Sequence, residues 1–391
     1  MKNIKDINVS GQKVLVRADF NVPFDENGAI SDDSRICGVL PTIDYLVKQN
    51  AKIILCSHCG RPKGERLRKY SLAPMADRLS KLLGREVKLA HDCVGPEVQH
   101  LAATLQDGDI LLLENLRFHA EEQKNDAAFA RQLASLADIY INDAFAVSHR
   151  AHASVEGVTH YMDVCAAGFL LQREVDFFNR SITSPARPLA VVMGGAKVST
   201  KLGAIRNMLD RVDIMIIGGA MANTFLKSQG HEIGKSLVED ELLDTARELL
   251  ELARSKGVKF YLPVDCVAAE EFSPQAVTKL STIQDMPPRW LSLDIGPASS
   301  TLFGEALADA GTIVWNGPMG AFEMAPFARG SLAMVNTVTA SHALSIVGGG
   351  DTNVVIKQAG AASEISYIST GGGAFLMLME GKELPGIAAL A

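Results

Sequence analysis

The feature that most limits what this chain can fold into is an alternation that runs through it twice. Short, continuous apolar runs are each followed by a stretch with apolar residues at helical spacing. In the first half the runs "KVLVRADF", "AKIILCSH", "EVKLA", "DILLLENL" and "ADIYINDAF" read as strands buried on both faces. "DRLSKLLG" and "DAAFARQLASLA" read as helices between them. The plan restarts near residue 188 with "PLAVVMGG", "DIMIIGG", "KFYLPVD", "TIVWNGP", "SIVGGGD" and "YISTGGG", and with "DELLDTARELLELARSKG" as an amphipathic helix. Such alternation predicts βαβ units and mostly parallel sheets. A helical stretch at 170–182, "LLQREVDFFNRSI", followed by the loop signal "TSPARP", joins the two halves. At 391 residues, two α/β domains are the expectation.

Composition narrows the class. A hydrophobic content of 47% and a charged content of 21% fit a water-soluble protein with a large core. The net charge of −7 argues against a nucleic-acid partner. No apolar run is long enough to span a bilayer, and "MKNIKDINVS" lacks the apolar core of a signal peptide, so a cytoplasmic protein is expected. The cysteines, Cys37, Cys56, Cys59, Cys93, Cys165 and Cys266, are too sparse for a disulfide scaffold. Cys56 and Cys59 form a C-x-x-C around His58, but no second pair accompanies it, which weighs against zinc or dithiol chemistry.

Open parallel sheets bind ligands at the carboxyl ends of their strands, and there the two halves differ. The first half offers Arg17, Asp19 and Asn21 in "RADFNVP", His58 and Arg61 in "SHCGRP", Arg117 in "ENLRF" and Arg150 in "AFAVSHRAHAS". Arg35 follows in "DDSRI". Guanidinium groups converging from separate loops suit a small, multiply charged anion. The neighbouring Lys63, Arg66, Arg68 and Lys69 read as a solvated run. The second half offers glycine-rich strand ends, where backbone N–H groups can point at phosphate. "GGAKVSTK" places Lys197 and Lys201 four apart at an expected helix start, and "GGGDT" adds a carboxylate, Asp351, suited to magnesium, and the Thr352 hydroxyl. No G-x-G-x-x-G occurs, and "GHEIGKS" is one residue short of a Walker loop, so neither a nicotinamide site nor a P-loop is supported.

Taken in order, "VLVRADFNVP", "SHCGRP", "LLENLRF", "NDAFAVSHRAHAS", "GGAKVSTK", "IGGAMANTF", "WNGPMGAFE" and "GGGDT" resemble the phosphoglycerate kinase family across practically the whole chain. Departures are small: Cys59, where leucine is common; Phe20, where leucine or another apolar residue is usual; and Thr200, where some relatives carry an acid. The resemblance implies two Rossmann-like α/β domains joined by a helix and hinge. These are a phosphoglycerate-binding domain over 1–170, with 377–391 packing back on it, and a nucleotide-binding domain over 171–376. It implies Mg2+-dependent phosphoryl transfer between 1,3-bisphosphoglycerate and ADP, giving 3-phosphoglycerate and ATP, in glycolysis and gluconeogenesis, by a cytoplasmic monomer with no membrane or nucleic-acid partner.

By the same resemblance, Asp19, Asn21, Arg35, His58, Arg61, Arg117 and Arg150 bind phosphoglycerate. Lys201 meets nucleotide phosphates, Asn316 lines the nucleotide site and Glu323 binds ribose. Gly349, Gly350, Asp351 and Thr352 receive phosphates and Mg2+, with Asp351 as the metal ligand. Arg35 and Lys197 stabilise the transferring phosphoryl group, and the helix near 170–182 and the glycines at 371–373 are hinge candidates. A kinase for another phosphorylated acid and a nucleotide-binding protein without catalysis are the rival readings. The second is opposed by the presence of Arg35, Lys197, Lys201 and Asp351 together.

Overall fold

The computed structural model describes Met1–Ala391 and divides the chain into two compact units. One comprises Met1–Val175 with Glu383–Ala391, and the other comprises Asp176–Lys382. The first division falls inside a helix, Phe169–Phe178, which continues as a wider π-helical turn over Asn179–Thr183. No helix is long and apolar enough to cross a membrane.

The first unit is built on six strands: β1 (Lys13–Arg17), β2 (Lys52–Cys56), β3 (Val87–Leu89), β4 (Ile110–Leu112), β5 (Ile139–Asn142) and β6 (Cys165–Ala167). They lie in the order β3-β4-β2-β1-β5-β6, and every pairing is parallel. Their apolar runs are buried on both faces because helices cover both sides, and Val14, Val16, Ile53, Leu55 and Ile141 sit in the main core. The chain leaves β1 toward β2 on one side and returns to β5 on the other. The crevice between the loops after β1 and β5 is therefore the switch point, where a doubly wound sheet takes its ligand.

The second unit repeats this with β7 (Leu189–Met193), β8 (Ile214–Ile217), β9 (Lys259–Tyr261), β10 (Asp265–Ala269), β11 (Thr278–Thr282), β12 (Leu291–Ile295), β13 (Thr312–Asn316), β14 (Leu344–Gly348) and β15 (Tyr367–Ile368). Six of these form a parallel sheet in the order β15-β14-β13-β7-β8-β9, whose switch point lies between the ends of β7 and β13. The remaining three, β11-β10-β12, form a small antiparallel sheet that the apolar-run reading did not contain. The reason is visible in β11, "TKLST", where only Ser281 is buried and no apolar run exists to read. A separate cluster of Leu226, Ile233, Cys266, Ala268, Ile283 and Met286 packs beneath that sheet.

Candidate functional site

In the first unit the expected basic residues gather around the switch point. Arg17 ends β1 at 1% exposure. Its Nε donates to Ser154 Oγ at 2.8 Å, its Nη1 to the Ala18 carbonyl, and its Nη2 lies 3.2 Å from His58 Nδ1. Asp19, buried two residues on, pairs with Arg35 from the first turn of helix Ser34–Lys48 and accepts the Asn21 N–H at 3.1 Å. Asn21 Oδ1 in turn accepts the Gly60 N–H at 2.8 Å, which ties the loop after β1 to the loop after β2. Arg117 Nη1 donates to the Gly60 carbonyl at 2.7 Å, whereas its Nη2 is buried with no partner. Arg150 Nε donates to His149 Nε2 at 3.1 Å. Arg61 is exposed on the loop after β2.

The electrostatics of this cluster are one-sided. Burial, and then the charges of Arg150 and Arg17, push the Arg117 guanidinium down to about 10. Burial also drives His58 well below the usual imidazole range, with Arg17, Arg117, Arg150 and Arg35 acting in the same direction. His152 falls to about 4 through burial and the charges of Arg17, Arg117 and Arg150. Groups that depress one another in this way are short of negative charge, and a polyanion placed among them would relieve all of them at once. Arg17, read as a strand-end residue but given no ligand role, belongs to the cluster, as do His149 and His152, which sequence reasoning did not count as site residues. The signal for the histidines was their position flanking Arg150 in "SHRAHAS".

Cys56 and Cys59 are free and buried, and burial raises their thiols to about 12 and about 11, so neither supplies a thiolate. Asp92, Cys93 and His119 also lie together. His119 Nε2 and Asp92 satisfy each other at 2.7 Å, and burial pushes the Cys93 thiol up.

The second unit carries its own site at the β7/β13 switch point. The segment Gly194–Lys201 is a loop, and the following helix begins only at Leu202, with Lys201 as its N-cap. The expected helical pairing of Lys197 and Lys201 therefore does not form. The physical reason is that the loop backbone is bonded elsewhere: Gly194 N–H to the Asn316 carbonyl at 3.0 Å and Gly195 N–H to the Pro318 carbonyl at 2.9 Å. Lys197 is exposed. Lys201 instead turns inward, and its Nζ donates to the carbonyls of Gly194 and Asn316, each at 2.7 Å. Burial lowers its pKa to about 8 against the opposing pull of Asp351.

Gly317 makes room for that amine. Its φ is +101°, and a Cβ there would lie 2.5 Å from Lys201 Nζ. Asn316 is buried, with its Nδ2 donating to the Gly348 carbonyl at 2.9 Å, so its side chain braces β13 against the end of β14. The fully buried Thr352 hydroxyl accepts the Gly317 N–H at 2.7 Å and donates to the Gly348 carbonyl at 3.2 Å.

Gly349, at φ +106°, opens the helix Gly350–Gln358, and Asp351 stands exposed in its first turn. Asp351 also borders a cavity of about 490 Å³, together with Gly195, Gly219, Leu237, Phe322 and Glu323. That volume falls in the range of small-molecule sites. Of the sequence-expected nucleotide residues, Glu323 and Asp351 line this cavity, while Lys201, Asn316, Gly349, Gly350 and Thr352 do not. Lys235, Leu237 and Phe272 line it without having been expected. Leu237 and Phe272 are exposed apolar side chains, at 47% and 65%, and no sequence pattern marks them as facing a ligand.

Comparison with known proteins shows the family. The family model described as phosphoglycerate kinase matches residues 4–382. The chain is 60% identical over 383 residues to a phosphoglycerate kinase of Geobacter sp. (strain M21), covering 98% of this chain and 96% of the relative. It is 58% identical over 390 residues to that of Desulfotalea psychrophila, with both chains covered in full. Among solved structures, phosphoglycerate kinase from Coxiella burnetii superposes with a TM-score of 0.91 at 42% identity, covering 99% of this chain and 98% of the other.

Proposed function

Because the chain belongs to the phosphoglycerate kinase family and transfers a phosphoryl group between phosphoglycerate and ADP/ATP, we propose a division of that work among its residues. The acid, 3-phosphoglycerate or 1,3-bisphosphoglycerate, is held by the basic cluster of the first unit: Asp19, Asn21, Arg35, His58, Arg61, Arg117 and Arg150. The unpartnered, buried Arg117 Nη2 is the observation that carries this reading, since a buried guanidinium N–H without an acceptor is costly unless a ligand supplies one.

The nucleotide occupies the cavity of the second unit, with Glu323 at the ribose and the Gly349 and Gly350 amides at the phosphates. Lys201 meets the phosphates once their charge draws it from the carbonyls it now holds. Asn316 and Thr352 shape this edge. A single exposed carboxylate, Asp351, fits Mg2+ that arrives with the nucleotide, because that ion is commonly held by one or two carboxylates, phosphates and water. When bound, the ion neutralises charge on the phosphates.

In the ATP-consuming direction the attacking group is a carboxylate with a free pKa of about 3.5, already ionised at neutral pH. No general base is required, and the depressed His58 and His152 serve as neutral hydrogen-bonding groups. Transfer then depends on alignment and on neutralising the nearly free phosphoryl group, the roles we give to Arg35 and Lys197. The two ligands must meet for this, and the helix near 170–182 and the glycines at 371–373 are the hinge we propose. A cytoplasmic monomer is the form we propose for the enzyme.

The test is Mg2+-dependent ADP formation from ATP with and without 3-phosphoglycerate. Turnover that requires this acid supports the assignment. Turnover with a different phosphorylated acid in a panel moves the acceptor, and ATP binding without turnover by a folded sample overturns the catalytic reading.

A further inference from the structure

We propose that Glu239 is a positioning residue whose carboxylate holds the Gly194–Lys201 loop in the conformation that presents Lys197. The inference rests on the role given above to Lys197. The ends of this loop are secured by the bonds of Gly194 and Gly195 to Asn316 and Pro318, and by Lys201 Nζ. Its middle has one internal backbone bond, Lys201 N–H to the Val198 carbonyl at 2.8 Å. Beside the buried Val198 side chain, the hydrogen bonds that tie the middle to the rest of the unit come from Glu239. One carboxylate oxygen accepts the Ser199 N–H at 3.0 Å and the other accepts the Ser199 hydroxyl. Ser199 is two residues from Lys197, whose carbonyl takes the Thr200 hydroxyl at 2.8 Å.

Glu239 is anchored in turn. Its N–H donates to Thr224 Oγ1 at 3.1 Å, and Asn223 Nδ2 donates to the Leu237 carbonyl at 3.1 Å, both from helix Ala222–Ser228. The residue as a whole is 9% exposed. Partial burial works against its ionisation, but the Ser199 hydroxyl, the N–H groups of Ser199 and Val198 and the charge of Lys197 outweigh it and hold the group below the usual range. It therefore stays ionised across any practical assay pH.

The same segment forms part of the nucleotide cavity, since Lys235 and Leu237 line it. The stretch "GHEIGKS", which fails as a Walker loop, thus leads into a brace that faces the nucleotide with one residue and grips the lysine loop with another. Ser199 presents two donors, and the carboxylate takes one on each oxygen. Glutamine can replace both contacts, its oxygen accepting the N–H and its NH2 donating to the Ser199 oxygen, so Glu239→Ala is the variant that removes the bracket.

Glu239→Ala, Ser199→Ala, the double variant and Lys197→Ala should be compared in kcat, KM for 3-phosphoglycerate, MgATP affinity by calorimetry and melting temperature. A loop displaced by about an ångström costs on the order of 10–100-fold in rate. The expected result for Glu239→Ala is a kcat loss of that size, with KM for the acid and MgATP affinity within about threefold. Adding Ser199→Ala to Glu239→Ala should cost little more, because the partner of the Ser199 hydroxyl is already gone.

If Lys197→Ala is impaired while folded Glu239→Ala keeps its kcat within about threefold, the positioning role is overturned and the role of Lys197 stands. If both keep their kcat, the reading of Lys197 itself fails. Should Glu239→Ala melt early, Glu239→Asp decides: it keeps the charge but is one methylene short of Ser199, and an unchanged kcat there overturns the proposal.

Discussion

At the scale of single residues, the partner a charge is bonded to separates charges that matter from charges that do not. Arg35 and Arg66 are both part-exposed arginines in the first unit. Arg35 pairs with buried Asp19 beside His58, whereas Arg66 donates to the His91 carbonyl and lies 3.8 Å from Asp92. Arg35→Ala should lower turnover about 10³-fold or more, the scale of a transition-state arginine, while folded Arg66→Ala should turn over nearly normally. Steady-state assays of the two variants check both statements.

Lys201 gives a pH prediction. The amine is pushed down to about 8, and phosphates beside it favour its charged form, so nucleotide binding should take up a proton above about pH 8. Calorimetry in buffers of different ionisation enthalpy should show that uptake, and Lys201→Met should abolish it. For stability the sign is separate. Between the folded value and the usual lysine range the unfolded chain binds more protons, so this group makes stability rise with pH across that window. Arg61, Arg117 and Arg150 were legible because each sits on a loop that follows an apolar run, whereas Arg35 lies in the first turn of a helix. The inward turn of Lys201 was not legible, because it depends on carbonyls at the ends of β7 and β13, which no local pattern brings together.

At the scale of elements, the sequence reveals strands in proportion to how continuous their apolar runs are. The continuous runs in β1, β2, β7 and β13 mark central parallel strands. The short β6 and the antiparallel β10–β12 carry weaker patterns and were missed, since pairing across the sheet rather than composition defines them. The loop after β13 shows how closely two elements approach. A Cβ at Gly317 would lie 2.3 Å from the Gly194 carbonyl oxygen as well as against Lys201, and its φ of +101° already disfavours a side chain. Gly317→Ala should therefore displace Lys201, raise KM for MgATP at least about tenfold and lower the melting temperature. KM for 3-phosphoglycerate, read in the same assay, should change much less.

At the scale of the whole molecule, the path of the chain is the least local property. The chain enters the second unit at Asp176 and leaves it at Lys382, and Glu383–Ala391 belongs to the first. Those last residues are bonded in: Asn142 Nδ2 donates to the Gly386 carbonyl and the Gly386 N–H to the Ser148 carbonyl, each at 2.9 Å. A Cβ at Gly386 would lie 2.5 Å from Val155 Cγ1. Removing residues 383–391 should weaken binding of 3-phosphoglycerate, as Ser148 adjoins the Arg150 loop, and leave MgATP affinity within about threefold. Calorimetry with each ligand distinguishes the two effects.

The same crossing sets an order on biosynthesis. At roughly 5–20 residues per second, translation of residues 176–391 occupies about 10–40 s. During that interval the first unit is emergent but lacks its closing segment, and Asn142, Ser148 and Val155 stand uncovered. A nascent chain of this protein is thus expected to complete its second unit before its first, against the order in which the two begin.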